Sequence, residues 1–278
     1  MALRITTLSE NTAGARDLLS EWGISFLIES DGEAILFDTG KTISTAHNMD
    51  TLGVNPKQIS KIVLSHGHPD HTGGLHQVLR RINKEIEIIA HPDVWAPKYR
   101  HRKGEKDRYI GISFQRQDLE SLGAIFKLTT ESVKVVDNCL TTGEVPMITD
   151  YETIDSALFV RTDSGWQPDK LLDDLSLIIN TTLGLVVVLG CAHRGMVNIL
   201  YHAQKLTGEK KIYAVLGGSH LYSASRERVQ KTIADLKKLD VQRLGLCHCT
   251  GMPAITTLAH EFGDRFFFNI TGTTFEVP

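Results

Sequence analysis

The sequence predicts an α/β protein of stacked β-sheets flanked by helices, and three observations predict it. Short apolar runs, often β-branched, recur at 24–28, 34–37, 62–64, 86–90, 185–189, 212–216 and 244–246. Most of them stop at Gly, Ser, Asp or His, which is how strands end, whereas helices need longer periodic patterns. Helical stripes lie between the runs: few early in the chain, several later, an order that suits sheets covered by helices.

Each helix is read from its own spacing. Leu75, Val78, Leu79 and Ile82 stand three, four and seven residues apart and so share one helix face. Val229, Ile233, Leu236 and Leu239 form a second stripe, and 196–206 a third helix after the loop that carries His193. No repeat or Pro/Gly/Ser linker divides the chain, so one domain over 1–278 is expected. The stretch 91–165 has fewer buried-strand signals and a charged run, Lys98-Tyr-Arg-His-Arg-Lys-Gly-Glu-Lys-Asp-Arg108. It is read as an elaboration covering the site, although the run alone also fits a solvated loop.

Composition excludes several classes. The chain is 41% hydrophobic and 23% charged, ordinary for a globular protein. A net charge of -3 gives no general attraction to polyanions, so neither nucleic acid nor a membrane surface is expected as partner. No apolar run is long enough to cross a bilayer. The N-terminal stretch lacks the pattern of a signal peptide. Cys139, Cys191, Cys247 and Cys249 contain no Cys-x-x-Cys pair and suggest no disulfide framework, so a reducing cytoplasm is expected. A homo-oligomer is compatible with all of this.

The informative segment is Ser65-His-Gly-His-Pro-Asp-His-Thr72, where a buried strand enters a turn. Gly67 and Pro69 break any regular strand, so His66, His68, Asp70 and His71 can converge from a loop. Asp70 falls near the expected N-cap of the next helix. One histidine here would be ordinary; four donors within six residues point to a cation, and imidazole with carboxylate suits Zn²⁺, Fe or Mn. Three later strands also end in histidine, at His193, His220 and His248. Loops at strand ends are where functional residues concentrate. Asp38, closing the run 34–37, is placed to hold a ligating imidazole, or to form a turn. An extended Cys247-His248-Cys249 would put both thiols on one face and the imidazole on the other, so the three are not expected on one ion. Cys191 reads as a small core residue.

The pattern His66-x-His68-x-Asp70-His71, with Asp38 upstream and Gly-Cys-Ala-His193 downstream, resembles the metallo-β-lactamase superfamily. The resemblance implies an αββα sandwich of two facing mixed β-sheets flanked by helices, with one or two divalent ions at their edge, zinc first and iron or manganese as alternatives. By carry-over, His66, His68 and His193 hold one ion, and Asp70, His71 and His248 the other. The sequence departs from the superfamily where a metal-bridging Asp is usual: it has Gly217-Gly-Ser-His220. The second ion would then bind more weakly, or His220 or the more distant Asp174 would substitute. Gly190-Cys-Ala-His-Arg-Gly-Met-Val-Asn-Ile199, Leu216-Gly-Gly-Ser-His-Leu221 and Cys247-His-Cys-Thr-Gly251 are similar to a subgroup containing an archaeal synthase of methanopterin biosynthesis. That synthase joins a dihydropterin methyl diphosphate to a ribofuranosyl aminobenzene phosphate and releases diphosphate.

The chemistry expected is hydrolysis of a small, anionic, phosphate-bearing molecule, with Asp70 handling the water and its proton and His220 as a further catalytic group. Transfer to the arylamine is the alternative reading, and a non-catalytic metal- or ligand-binding member the third. For substrate, Ser219 and His220 precede a helix start near 223–225 with Arg226 in its first turn, where backbone N–H groups favour phosphate. Arg194 and the basic run 98–108 offer further contacts, although each also reads as surface charge.

Overall fold

The apolar runs form strands because their branched side chains pack on both faces of two large sheets. In the computed structural model, which describes residues 3–277, the first sheet has seven strands. Its order is β17 (Thr274–Val277), β1 (Leu3–Ser9), β2 (Ser25–Ser30), β3 (Glu33–Phe37), β4 (Ile59–Val63), β5 (Ile86–Ala90) and β8 (Ala124–Leu128). The second runs β16 (Arg243–Cys247), β15 (Ile212–Gly218), β14 (Gly184–Leu189), β13 (Ser176–Thr181), β10 (Cys139–Thr141) and β9 (Lys134–Val136). Both are mixed: β3, β4, β5 and β8 pair in parallel, as do β14, β15 and β16. A separate small sheet holds β12 (Gly165–Pro168), β11 (Leu158–Thr162), β6 (Lys98–Arg100) and β7 (Arg108–Tyr109).

Three apolar layers give the αββα order. Ile5, Phe26, Phe37, Val63, Ile89, Leu177, Val186, Val188 and Leu216 fill the space between the two sheets. Outside the first sheet lie α1 (Ser44–Thr51), α3 (Leu75–Ile82) and α4 (Arg116–Glu120), burying Met49, Val78, Leu79 and Leu119. Outside the second lie α5 (Met196–Thr207), α6 (Arg226–Lys238) and α7 (Met252–Phe262), burying Ile199, Ile233, Leu236 and Leu258. The short α2 (Pro69–Thr72) carries the site loop. Asp70 sits inside its first turn; the N-cap is His68. No helix among the described residues is long and apolar enough to cross a membrane.

The segment 91–165 is not one cover. Its middle completes the sandwich, with β8 edging the first sheet and β9 and β10 edging the second. The small sheet alone, from 98–109 and 158–168, stands beside the core. The sequence hid this because β9 and β10 are three residues long and β8 exposes alternate side chains. Met1, Ala2 and Pro278 of the expected 1–278 span lie outside the described residues.

Candidate metal centre

Parallel strands deliver the site from their C-terminal ends. Asp38 follows β3, Ser65 and His66 follow β4, Cys191 and His193 follow β14, His220 follows β15, and His248 follows β16. At four of these ends a non-glycine residue takes the left-handed backbone: Asp38 (φ 58), Ala192 (φ 52), His220 (φ 49) and His248 (φ 52). Each such conformation costs about 1–2 kcal/mol; three of the four residues are themselves at the site, and Ala192 precedes His193.

Two donor groups result. The ligand atoms of His66, His68 and His193 lie within 4.8 Å of one another, and so do those of Asp70, His71 and His248. His66 Nε2 is 2.9 Å from His68 Nδ1, and His248 Nε2 is 3.3 Å from Asp70 Oδ2. Nε2 of His68 and both ring nitrogens of His193 are buried without any hydrogen-bond partner. Such orphaned atoms cost about 1–3 kcal/mol each. A cation with bonds of about 2.0–2.3 Å to nitrogen or sulfur removes that cost, so the residues fit a divalent ion. Burial holds the His66 and His193 imidazoles neutral, and takes His68 down to about 3. Neutral imidazole is the ligating form.

Asp38 orients the second group. Its Oδ1 accepts the Ser65 N–H at 2.7 Å, and its Oδ2 accepts the Ser65 hydroxyl and the His71 Nδ1–H, each at 2.7 Å. His71 Nε2 is thereby left to face Cys191 Sγ at 3.1 Å. The far side is held the same way: His248 Nδ1 faces Asn11 Oδ1 at 2.9 Å, and its backbone N–H donates to Glu10 at 2.8 Å. Burial pushes the His71 imidazolium down, but Asp38 and then Asp70 outweigh it and take its pKa up to about 9. This attraction stabilises the metal-free fold fully below about 6.5, and is lost as pH rises through about 9. Zinc uptake at pH 7.5 should therefore release a proton from His71, measurable by calorimetry in buffers of different ionisation enthalpy. Uptake without proton release would remove His71 as a ligand.

Sequence reasoning missed the thiols. Cys191, expected as a core residue, groups with His66 and His71, with His193 and His220, and with His248 and Cys249. It thus stands between the two imidazole sets. The signal was its place two residues before His193 at a strand end. The Cys-His-Cys expectation holds for Cys247, which packs between the sheets, but not for Cys249. Residues 248–250 form a 3-10 turn, so Cys249 swings to the imidazole side. Asp174 is buried and raised by burial to about 7, but belongs to no donor group. It accepts the Arg194 backbone N–H instead.

Some predicted substrate residues are placed elsewhere. The Arg194 guanidinium is tied to the carbonyls of Val145 and Lys170 because its backbone turns outward after His193. Ser219 is buried on Thr250, and Arg226 is exposed on α6; neither lines the cavity above the donors. His220 does, with its ring 4.1 Å from that of His193. That cavity, about 590 Å³, is floored by His68, Asp70, Cys191 and His193.

Lys98 belongs to the support of the site. Its buried Nζ donates to Asp169 at 2.9 Å and Asp173 at 2.8 Å, and Asp173 accepts the Gly67 N–H at 2.9 Å. Gly67 is required there, since a Cβ would meet Val94 O at 2.2 Å. Lys98→Met should cost about 3–5 kcal/mol by leaving two buried carboxylates without their cation, read as a lowered urea midpoint.

A sandwich whose two sheets present histidine-rich loops along one edge defines an α/β protein with candidate donor groups for divalent metal. The family model described as the metallo-beta-lactamase superfamily matches residues 24–204, and the chain belongs to that superfamily. It is 36% identical, over 95% of its length and 93% of the relative's, to the 7,8-dihydropterin-6-methyl-4-(beta-D-ribofuranosyl)-aminobenzene-5'-phosphate synthase of Methanocaldococcus jannaschii. An uncharacterized protein of the same organism is 31% identical over 92% of this chain and 93% of its own. Among solved structures, Tm1679, a metal-dependent hydrolase of the beta-lactamase superfamily, matches at TM-score 0.86 and 28% identity, covering 99% of each chain.

Proposed function

We propose that the chain is a metal-dependent hydrolase of a small anionic molecule, built as one domain and working in the cytoplasm. One observation carries the reading: two buried donor groups, with orphaned imidazole nitrogens, floor an open cavity. His66, His68 and His193 would hold one divalent ion, zinc first; Asp70, His71 and His248 would hold a second. Bound there, such an ion acidifies water and neutralises charge on a phosphoryl or carbonyl oxygen. Asp70 would orient the attacking water: its carboxylate is partly exposed at the cavity floor. Burial raises the Asp70 pKa, but His71 and His248 outweigh it and keep the group ionised. His220, beside His193 in the wall, would donate to the leaving group.

A second reading, transfer to an arylamine with release of diphosphate, is favoured by the 36% identity to the synthase. Trp22 and Tyr222, meeting edge to face at 5.9 Å in the cavity wall, suit a flat ring. Incubation with a dihydropterin methyl diphosphate and a ribofuranosyl aminobenzene phosphate separates the two. Condensed product supports transfer, hydrolysis alone supports the first reading, and no turnover on these or on a panel of esters and phosphoesters rejects both.

A further inference from the structure

We infer that the small sheet carries a phosphate-binding subsite, in which Arg100, Arg102 and Arg108, with Lys41 from another loop, hold a phosphoryl group of the substrate. This deepens the proposed function and rests on its reading of an anionic substrate. All four side chains line the cavity above the donor groups. Arg100 on β6 and Arg108 on β7 are direct cross-strand partners. Like charges in that register repel and destabilise a strand pair, so the hairpin is weakest with the subsite empty.

Neighbouring carboxylates do not relieve the repulsion. Among the described residues, none of the four cations forms an ion pair or a side-chain hydrogen bond, whereas other members of the same run do. Lys98 takes Asp169 and Asp173, and His101 takes Asp107. Asp155, the acid of the upper wall, accepts the Ala157 N–H. An anion is therefore the missing partner, and its chemistry follows from the donors. Guanidinium forks bind two phosphoryl oxygens at once, and three forks suit a phosphate ester or a diphosphate better than a single carboxylate. In a chain of net charge -3, this wall is where a polyanion is attracted.

Inorganic pyrophosphate is the probe, titrated calorimetrically into metal-loaded protein and into protein dialysed against chelator. Binding should persist without metal, weaken at least tenfold in Arg100→Gln/Arg108→Gln, and weaken with added salt. The unliganded double variant should melt no lower than wild type, since it loses a repulsion. Arg102→Gln, in the exposed turn between the strands, should weaken binding at least threefold and guards against misfolding of the double variant. Affinity within twofold of wild type in both variants, or binding that needs metal, would overturn the subsite. Metal content and turnover are read separately: pyrophosphate binding through the arginines in a protein that never turns over sinks the hydrolase and leaves the subsite standing.

Discussion

Replacing His68 with alanine should remove at least one ion per chain and reduce kcat/KM by about a thousandfold or more. The side chain is 7% exposed, and its Nε2 has no hydrogen-bond partner within the protein. Its ring packs edge-on against His66 and His193, with centroids 4.5 Å and 4.9 Å away. Alanine leaves two imidazoles where three converged, too few to hold an ion tightly. The Lewis acid is worth several kcal/mol at the reacting oxygen, which is the predicted thousandfold. Metal by elemental analysis, beside kinetics and circular dichroism, separates this from unfolding. A folded variant with full activity would exclude His68 from the chemistry.

The second large effect falls on Asp38. Asp38→Ala should cost the metal-free protein about 3–5 kcal/mol of folding stability, because it strips the buried His71 imidazolium of its carboxylate and orphans the Ser65 N–H. Asp38→Asn separates the causes. Asn tolerates the left-handed backbone that Asp38 adopts, so geometry survives while the charge goes. The amide variant should stay folded but bind the second ion about 10–100-fold more weakly. Urea titrations and chelator competition read the two quantities. If the Asn variant kept wild-type affinity, Asp38 would serve the fold alone.

Much of the frame was readable in the sequence because the signals were dense. The runs at 86–90 and 212–216 became β5 and β15, and the stripe from Leu75 to Ile82 became α3. Their side chains are buried on both faces of a sheet or along one helix face, where apolar periodicity is unambiguous. β1, Leu-Arg-Ile-Thr-Thr-Leu-Ser, carries threonines and serine where a run would need aliphatics, and went unread. For the site, histidines at strand ends were visible even far apart in sequence, whereas the side chains that support them were not. Glu10 and Asn11 reach His248 across more than 230 positions, and no local pattern announces that. Cys191 was obscured for another reason: a buried thiol at a strand end looks the same whether it fills space or faces an ion. The basic run at Lys98 hid two roles, since Lys98 turns inward as a strut while Arg100 and Arg108 turn to the cavity.

The contorted corners at Asp38, Ala192, His220 and His248 mean that this edge of the molecule opposes folding. Four of them weigh about 4–8 kcal/mol, comparable with the whole margin of about 5–15 kcal/mol that keeps a domain folded. The sturdiest descendant of this chain would be one that had straightened those corners and lost its chemistry. Selecting variants for heat resistance alone should therefore find glycine at Ala192 early, and trade away catalytic precision as it climbs.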